Sequence, residues 1–559
     1  MAIKKSELYS KLWKSCDELR GGMDASQYKD YILVLLFVKY VSDKYGKTKG
    51  LIEIPKGGSF QDMVELIGKP EIGEEINKIV GKLAEANGLK GIITEANFDD
   101  DDKLGKGKAM QDRLSNLVGI FDDDDLDFSK SRAGGDDLLG DAYEYLMRNF
   151  ATQSGKSKGQ FYTPSEVSQV IAKIIGTGSA NRRGQTVYDP TCGSGSLLLK
   201  VADEAPSGVT IYGQEIDVAT RAMAKMNMML HENEDAIIER EDTISEPKFK
   251  DNGKLKEFDF AVSNPPFSTK AWSSGIKPEN DEYKRFDGFD IPPKKNGDYA
   301  FLLHLIKSLK PTGKGAIILP HGVLFRGNVE AIIRKNLINR GYIKGIIGLP
   351  PNLFYGTSIP ACIIVTDKEN AESRKGIFLI DASKGFVKDG NKNRLQAKDI
   401  RKIVDVLTNQ IEIPKFSRMV PVSEISDDKN EYNLNIPRYI DSQEEEDIQD
   451  IEAHLKGDIP KKDIDDLNQY WEVYPNIRQT LFAPSKRKNY ESLIVDNSEI
   501  KTIIFEHDEF KKYSEKINKT YSEWEETNLS VLIKIKVGTN PKKLISEISE
   551  SVLDKFSKV

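Results

Sequence analysis

Apolar residues recur at helical spacing from the start of the chain. Leu8, Leu12, Cys16 and Leu19 form one stripe, Gly21-Gly22 interrupts it, and Ile32, Leu35, Leu36 and Val41 resume it, which predicts two helices across residues 7–45. Similar patterns predict helices at 71–87 and 110–118, beside the acidic runs Asp99–Asp102 and Asp122–Asp125, which read as solvated loops or helix starts. Residues 1–150 therefore read as an N-terminal helical domain. From about residue 159 the pattern changes to short β-branched runs alternating with helical ones. Candidate strands are Thr186–Tyr188, Val209–Tyr212, Ala236–Ile238, Phe258–Val262, Ala316–Leu319, Ile343–Ile347, Ala361–Val365 and Ile377–Leu379. Such alternation predicts an α/β core over residues 151–440, a mostly parallel sheet covered on both faces, with ligands bound in the turns at the carboxyl ends of the strands. After Tyr439 comes the acidic cluster Glu444–Asp447, and residues 441–559 read as a charged, helical tail whose sparse Ile and Leu positions need a partner surface.

Composition narrows the class. A chain of 559 residues accommodates two to four domains. Tyr31–Val38 is too short to cross a membrane, and Met1–Leu12 has no apolar core of a secretory signal, so a cytoplasmic protein is expected. Cys16, Cys192 and Cys362 stand far apart, and the five histidines show no ligand spacing, so no metal site is expected. The net charge of -7 is unusual for a protein that grips DNA alone, because phosphate contacts call for a basic face. If this chain acts on DNA, another subunit supplies much of the contact.

The first chemical motif follows the first strand. Asp189-Pro190-Thr191-Cys192-Gly193-Ser194-Gly195-Ser196 is a Gly-rich turn leading into a helix, and its glycines let backbone pass close beneath a ligand. It lacks the Lys of a Walker loop and a full dinucleotide fingerprint. Asp189 suits a ligand bearing positive charge, and the ammonium and sulfonium of S-adenosylmethionine fit. Glu215, with Asp217 beside it, stands at the tip of the second strand, where a carboxylate accepts from ribose hydroxyls. Asp242 follows the third strand and is placed to accept from an adenine amine.

The second motif follows the fourth strand. Asn264-Pro265-Pro266-Phe267 combines two residues without backbone donors, fixed in φ, with an Asn acceptor and an aromatic ring. A rigid set of acceptors can hold both hydrogens of an NH2 group and turn its lone pair toward a methyl donor. Phe267 offers a face for a flipped base. None of the cysteines lies in this turn, which excludes attack on a cytosine ring by the same residues.

On these motifs the chain resembles the DNA amino-methyltransferases, and specifically the modification subunit of type I restriction–modification systems. The resemblance implies a Rossmann-like class I S-adenosylmethionine-dependent methyltransferase core, with Asn264–Phe267 catalytic for adenine N6 and Asp189–Gly195 binding the cofactor. Upstream, Gly159-Gln160-Phe161-Tyr162-Thr163-Pro164 is similar to the family's other cofactor-contacting motif, and Thr163-Pro164-Ser165-Glu166 reads as a capping box with Pro at the first helical position. Gly348–Phe354 and Thr357–Pro360 resemble the segment that helps hold the target base, and Tyr432–Asn435 with Pro437–Tyr439 the end of the domain. Cys192 and Ser194 stand where many relatives have smaller residues. The resemblance further implies double-stranded DNA as substrate, a separate specificity subunit bound by two modification subunits, and a nuclease subunit as a further partner. Enzymes that methylate a protein glutamine amide or an RNA base amine use a similar turn and are the alternative. Residues 268–296, with Lys270, Lys284 and Arg285, are expected to lie beside DNA, order on binding and contact phosphates.

Overall fold

The computed structural model describes residues 5–20, 23, 25–46, 52–123, 126–128, 145–146, 149–150, 163–179, 184–355, 357–442, 449–536, 539 and 541–557. These divide into two compact units, one drawn from residues up to 443 and the other from residues beyond it.

A nine-stranded sheet organises the first unit. In chain order its strands are β1 (Thr186–Asp189), β2 (Thr210–Glu215), β3 (Ile237–Arg240), β4 (Phe258–Ser263), β5 (Leu309–Pro320), β6 (Ile343–Gly348), β7 (Ala361–Asp367), β8 (Gly376–Asp381) and β9 (Ser417–Pro421). The spatial order is β9-β8-β6-β7-β5-β4-β1-β2-β3. All eight candidate strands are present. The sheet is parallel across β4-β1-β2-β3, β4-β5 and β8-β6, but β7 runs antiparallel to both its neighbours and β9 antiparallel to β8. Every residue of β7 is buried, as expected for an unbroken apolar run in the middle of a covered sheet. The edge strand β9 escaped the sequence pattern because it is short and only partly buried.

The chain leaves β1 toward β2 and β3 on one side, and β4 returns on the other side of β1. This reversal of direction opens a crevice at the carboxyl ends of β1 and β4. The helices Ser165–Ile174 (α5), Ser196–Asp203 (α6) and Ala397–Asn409 (α10) lie in one apolar cluster with the β1, β4 and β5 residues Val187, Val262 and Ile318. Helices Asp298–Lys307 (α8) and Val329–Asn339 (α9) share another cluster with Ala261, Ile317 and Cys362. The sheet is thus covered on both faces.

The N-terminal residues form helices Lys5–Arg20 (α1), Ala25–Tyr45 (α2), Ile72–Asn87 (α3) and Lys108–Phe121 (α4). Residues 31–41 of α2 are buried without interruption, so α2 is the central helix of this bundle. Among the described residues no helix is long and apolar enough to cross a membrane. The bundle's cluster takes in Ala222, Met223, Met226 and Leu230 from helix Val218–Leu230 (α7), the helix that follows β2. Lys44 adds an ion pair of 2.6 Å to Glu232 just beyond α7. The helical N-terminus and the sheet therefore meet through the helix that carries the second candidate carboxylate loop.

The second unit is not purely helical. A small antiparallel sheet, Ile459–Pro460 with Tyr490–Leu493 and Phe482–Pro484, precedes helices Asp508–Ile533 (α11) and Pro541–Phe556 (α12). Those two helices meet through Trp524, whose Nε1 donates to Ser551 Oγ at 2.9 Å, and through Lys555–Glu523 at 2.8 Å. Leu529, Leu532, Ile533, Ile545 and Leu553 stay exposed, in line with the sparse apolar pattern of this region.

Met226→Asp would put an unpaired carboxylate into the joint between bundle and sheet, at a cost on the order of 3 kcal/mol. Thermal unfolding followed by circular dichroism should show a clearly lower midpoint. An unchanged midpoint would mean that the joint admits water.

Candidate active site

Four successive turns converge at the carboxyl edge of the sheet. The first carries Asp189, which is buried and accepts a 2.9 Å hydrogen bond from Thr191 N–H. Burial pushes its carboxyl up to about 8, against the Thr191 hydrogen bond and with the Glu215 carboxylate adding to the rise. Gly193 and Gly195 both take left-handed backbone, at φ 55 and 79. At Gly195 a Cβ would also stand 2.6 Å from Met228 Cε on α7, so only glycine lets the turn lie against that helix. Cys192 is buried, its backbone N–H donates to Gln214 O at 3.0 Å, and burial pushes its thiol well up. It behaves as a small core residue rather than a nucleophile. Ser194 is likewise internal: its hydroxyl meets Ser196 Oγ at 2.8 Å and its carbonyl accepts from Asn227 Nδ2 at 2.9 Å.

Glu215 ends β2 and bridges two turns. Its Oε2 accepts from Gly193 N–H at 3.1 Å and its Oε1 from Asp217 N–H at 2.9 Å, while burial raises its carboxyl above the ordinary range. Asp217, expected beside it as a cofactor contact, spends one carboxylate oxygen on the fold. Its Oδ1 accepts from Thr220 N–H and Oγ1, both at 2.8 Å, and so caps α7. Asp242 Oδ1 accepts from Ile244 and Ser245 N–H at 2.7 and 2.8 Å, which holds the third turn in shape, and Thr243 Oγ1 donates to Pro190 O in the first.

The fourth turn joins the first directly, Ser263 Oγ lying 2.8 Å from Thr191 Oγ1. Next to it, Asn264 Nδ2 donates to Thr163 Oγ1 at 3.1 Å, which leaves Oδ1 as the acceptor end of the amide. This corrects the reading of Thr163 as a capping residue. Helix α5 begins at Ser165 after Pro164, whose ψ of 132 is extended, and no side-chain cap is made. The Thr163 hydroxyl is committed instead to the Asn264 turn. Gln160, Phe161 and Tyr162 lie outside the described residues. Pro265 is buried and Pro266 half-buried. The half-buried Phe267 ring meets Phe354 edge to face, with centroids 5.9 Å apart.

Asp298 is a residue that the motifs did not reveal. Ser268, directly after Asn264–Phe267, is left-handed (φ 52), and its N–H donates to Asp298 Oδ1 at 2.7 Å. Arg326 holds the other Asp298 oxygen at 2.8 Å. An acidic residue at a helix start reads in sequence only as a partner of the helix dipole. The long contact to Ser268 exists only in the folded chain.

Residues 268–296 are folded against the core rather than waiting for a ligand. Trp272, Tyr283, Phe286 and Phe289 are buried, and Trp272 Nε1 donates to Pro293 O at 3.0 Å. Arg285, expected on phosphates, is fully buried. It pairs with Asp281 at 2.5 Å, donates to Ile244 O at 2.8 Å and lies 3.4 Å from His304 Nδ1. Burial, then the Arg285 charge, holds the His304 imidazole well below its usual range. The segment has an apolar side to bury, and Arg285 neutralises the carboxylate buried with it. Lys270 and Lys284 remain exposed, as do Lys277, Lys294 and Lys295.

Residues 134–448 match the family described as N-6 DNA Methylase, and residues 8–121 match the HsdM N-terminal domain. The chain is 30% identical to the type I restriction enzyme MpnII methylase subunit of Mycoplasma pneumoniae, over 85% of this chain and 97% of that protein. It is 31% identical to the MjaVII methylase subunit of Methanocaldococcus jannaschii, over 83% of each. Among solved structures, the type I restriction-modification system methyltransferase subunit from Streptococcus thermophilus superposes with a TM-score of 0.70 at 33% identity, covering 79% of this chain and 100% of that one.

Two outcomes are expected at this site. Asp189, raised to about 8, is largely protonated at neutral pH and must ionise beside a cationic ligand. Binding of S-adenosylmethionine at pH 7 should therefore release close to one proton, and affinity should rise with pH by up to ~10-fold per unit before levelling near the raised value. Calorimetric titrations in two buffers of different ionisation enthalpy measure this, and equal heats in both would contradict it. Thr163→Val should lower the rate of transfer by ~10- to 100-fold while cofactor affinity stays within about twofold, because it frees the Asn264 amide to rotate. An unchanged kcat would show that Thr163 does not orient Asn264.

Proposed function

The chain belongs to the N-6 DNA Methylase family, and from that premise we propose that the turn Asn264–Phe267 is where it methylates adenine N6, as the modification subunit of a type I restriction–modification complex. It is an adenine-specific DNA methyltransferase that uses S-adenosylmethionine. The observation that carries the residue assignment is the Thr163–Asn264 hydrogen bond, beside the hydroxyl contact that joins the catalytic turn to the Gly-rich turn.

The donor set fits the cofactor. Asp189 and Glu215 are carboxylates poised by burial to favour a cationic, hydroxyl-bearing ligand, and the left-handed glycines leave room beside them. Asp242, through its second oxygen, is the candidate partner for the adenine amine of the cofactor. The bound cofactor supplies an electrophilic methyl on a sulfonium. Asn264 Oδ1 and the Pro265 carbonyl accept the two hydrogens of the target NH2 and hold its lone pair out of conjugation with the ring. The nitrogen then forms its new bond to carbon as the carbon–sulfur bond breaks with its electron pair going to sulfur, and the extra proton leaves to water. Phe267 and Phe354 provide the surface on which the flipped base stacks.

We assign the remaining contacts to other chains. A separate specificity subunit reads the sequence and binds two copies of this subunit on double-stranded DNA, and a nuclease subunit joins them, all in the cytoplasm. The net charge of -7 supports this division, because most phosphate contacts must then come from a partner. Exposed Lys270 and Lys284 are the candidate phosphate contacts of this chain, without Arg285. The match of residues 8–121 to the HsdM N-terminal domain favours DNA over a protein amide or an RNA base.

Transfer of labelled methyl to DNA by the subunit co-expressed with its neighbours should yield N6-methyladenine. Asn264→Ala should reduce that transfer by ~10³-fold or more with cofactor binding retained. Near-normal transfer by this variant would overturn the assignment, and label on protein or RNA alone would overturn the substrate.

A further inference from the structure

Residues 349–355 and 357–358 form the segment that carries Phe354, whose ring meets Phe267 edge to face. No regular element holds this segment. It is knotted from outside by a small hairpin, Val387–Asp389 paired antiparallel with Lys392–Arg394. The Lys392 ammonium donates to Asn352 Oδ1 at 3.1 Å, Phe354 O at 2.7 Å and Thr357 O at 3.2 Å. An ammonium has three donors, and here three acceptors from one loop take them. Neighbouring contacts join the same two pieces of chain. Asn393 Nδ2 donates to Pro351 O at 2.7 Å, Asn393 N–H to Asn352 O at 3.1 Å, and Asn352 Nδ2 to Asn391 O at 2.6 Å. Asn352 is itself left-handed at φ 58, a conformation that needs such support.

Resting on the reading of Asn264–Phe267 as the base-methylating turn, we propose that Lys392 is a positioning residue for the target base, fixing the loop that sets Phe354 against Phe267. Its charge does not serve phosphate binding, because its donors are spent on the loop. Burial lowers the Lys392 ammonium from its ordinary value, which agrees with a cation withdrawn from solvent among carbonyls. The contact that Lys392 makes with the Phe354 carbonyl places the ring whose edge-to-face partner, 5.9 Å away, is Phe267. Without the knot, Phe354 loses its fixed register and the Phe267 ring loses the edge-to-face neighbour that holds it for the flipped base. The cofactor turn, on the far strands β1 and β2, is untouched. The expected signature is a defect in base holding with cofactor binding intact.

The test uses the assembled methyltransferase complex and two duplexes, one with 2-aminopurine in place of the adenine that the wild-type complex methylates, read by fluorescence, and one with that adenine intact, read by methyl transfer. Lys392→Met should lower the fluorescence of the flipped base and reduce kcat/KM for DNA by ~10- to 100-fold, with S-adenosylmethionine Kd within about twofold of wild type. Lys392→Arg should recover part of both. Should Lys392→Met not fold, Asn352→Gly, which keeps the left-handed backbone and removes one acceptor, should give the same pattern more weakly. Wild-type fluorescence and turnover in these variants would overturn the inference, as would a loss of cofactor affinity equal to the loss of base holding, since that reports general unfolding. Absence of N6-methyladenine from the wild-type complex would instead overturn the function on which the inference rests.

Discussion

The placement of β1 between β2 and β4 is the constraint on which the rest depends. Hydrogen bonding in register, with Asp189 opposite Gly213 and Tyr188 opposite Ala261, brings the end of β1 level with the ends of both neighbours. Because all three run parallel, each ends at the same edge, and the Gly-rich turn, the Glu215 turn and the catalytic turn are forced side by side. The bonds from Glu215 to Gly193 and from Thr191 to Ser263 are consequences of that register. A slip of one residue would reverse every side chain at the edge and separate the carboxylates from the acceptors.

Electrostatics at this edge are unbalanced by design of the burial. Asp189 and Glu215 sit close together with their carboxyls raised, and the site gains when positive charge arrives. Elsewhere the same molecule pairs its buried charges internally, as in Arg285 with Asp281 and Arg326 with Asp298. Among the described residues, Asp189 and Glu215 have no cationic side chain paired with them, which supports the proposal that they meet a cationic ligand.

The turn Asn264–Phe267, proposed as catalytic, contributes little by itself beyond rigid backbone, and its geometry is set from several distant parts of the chain. Thr163 orients the Asn264 amide, Asp298 receives the turn's exit at Ser268, and the hairpin at 387–394 braces the loop that carries Phe354. Helix α7 joins these supports from the other side, packing on the N-terminal bundle while its Met228 fixes the Gly195 turn. Preorganisation of this kind is what the proposed action of an uncharged turn on a poorly nucleophilic amine requires.

The linear chain determined the strand positions, the class of the fold and the two short motifs, because each depends on local periodicity, glycine freedom or proline stiffness. The turns that hold Asp189, Gly193, Glu215 and Asn264 were legible for that reason. Tertiary structure alone decided which polar residues are committed to partners within the protein. Asp217 and Arg285 carry the charges expected of binding residues, yet one caps a helix and the other is buried in an ion pair. Thr163 has the spacing of a cap but serves Asn264, 101 residues away. Asp298 and Lys392 have no motif at all. A side chain's partner depends on long-range contacts formed when the sheet closes, and those contacts leave no period in the sequence.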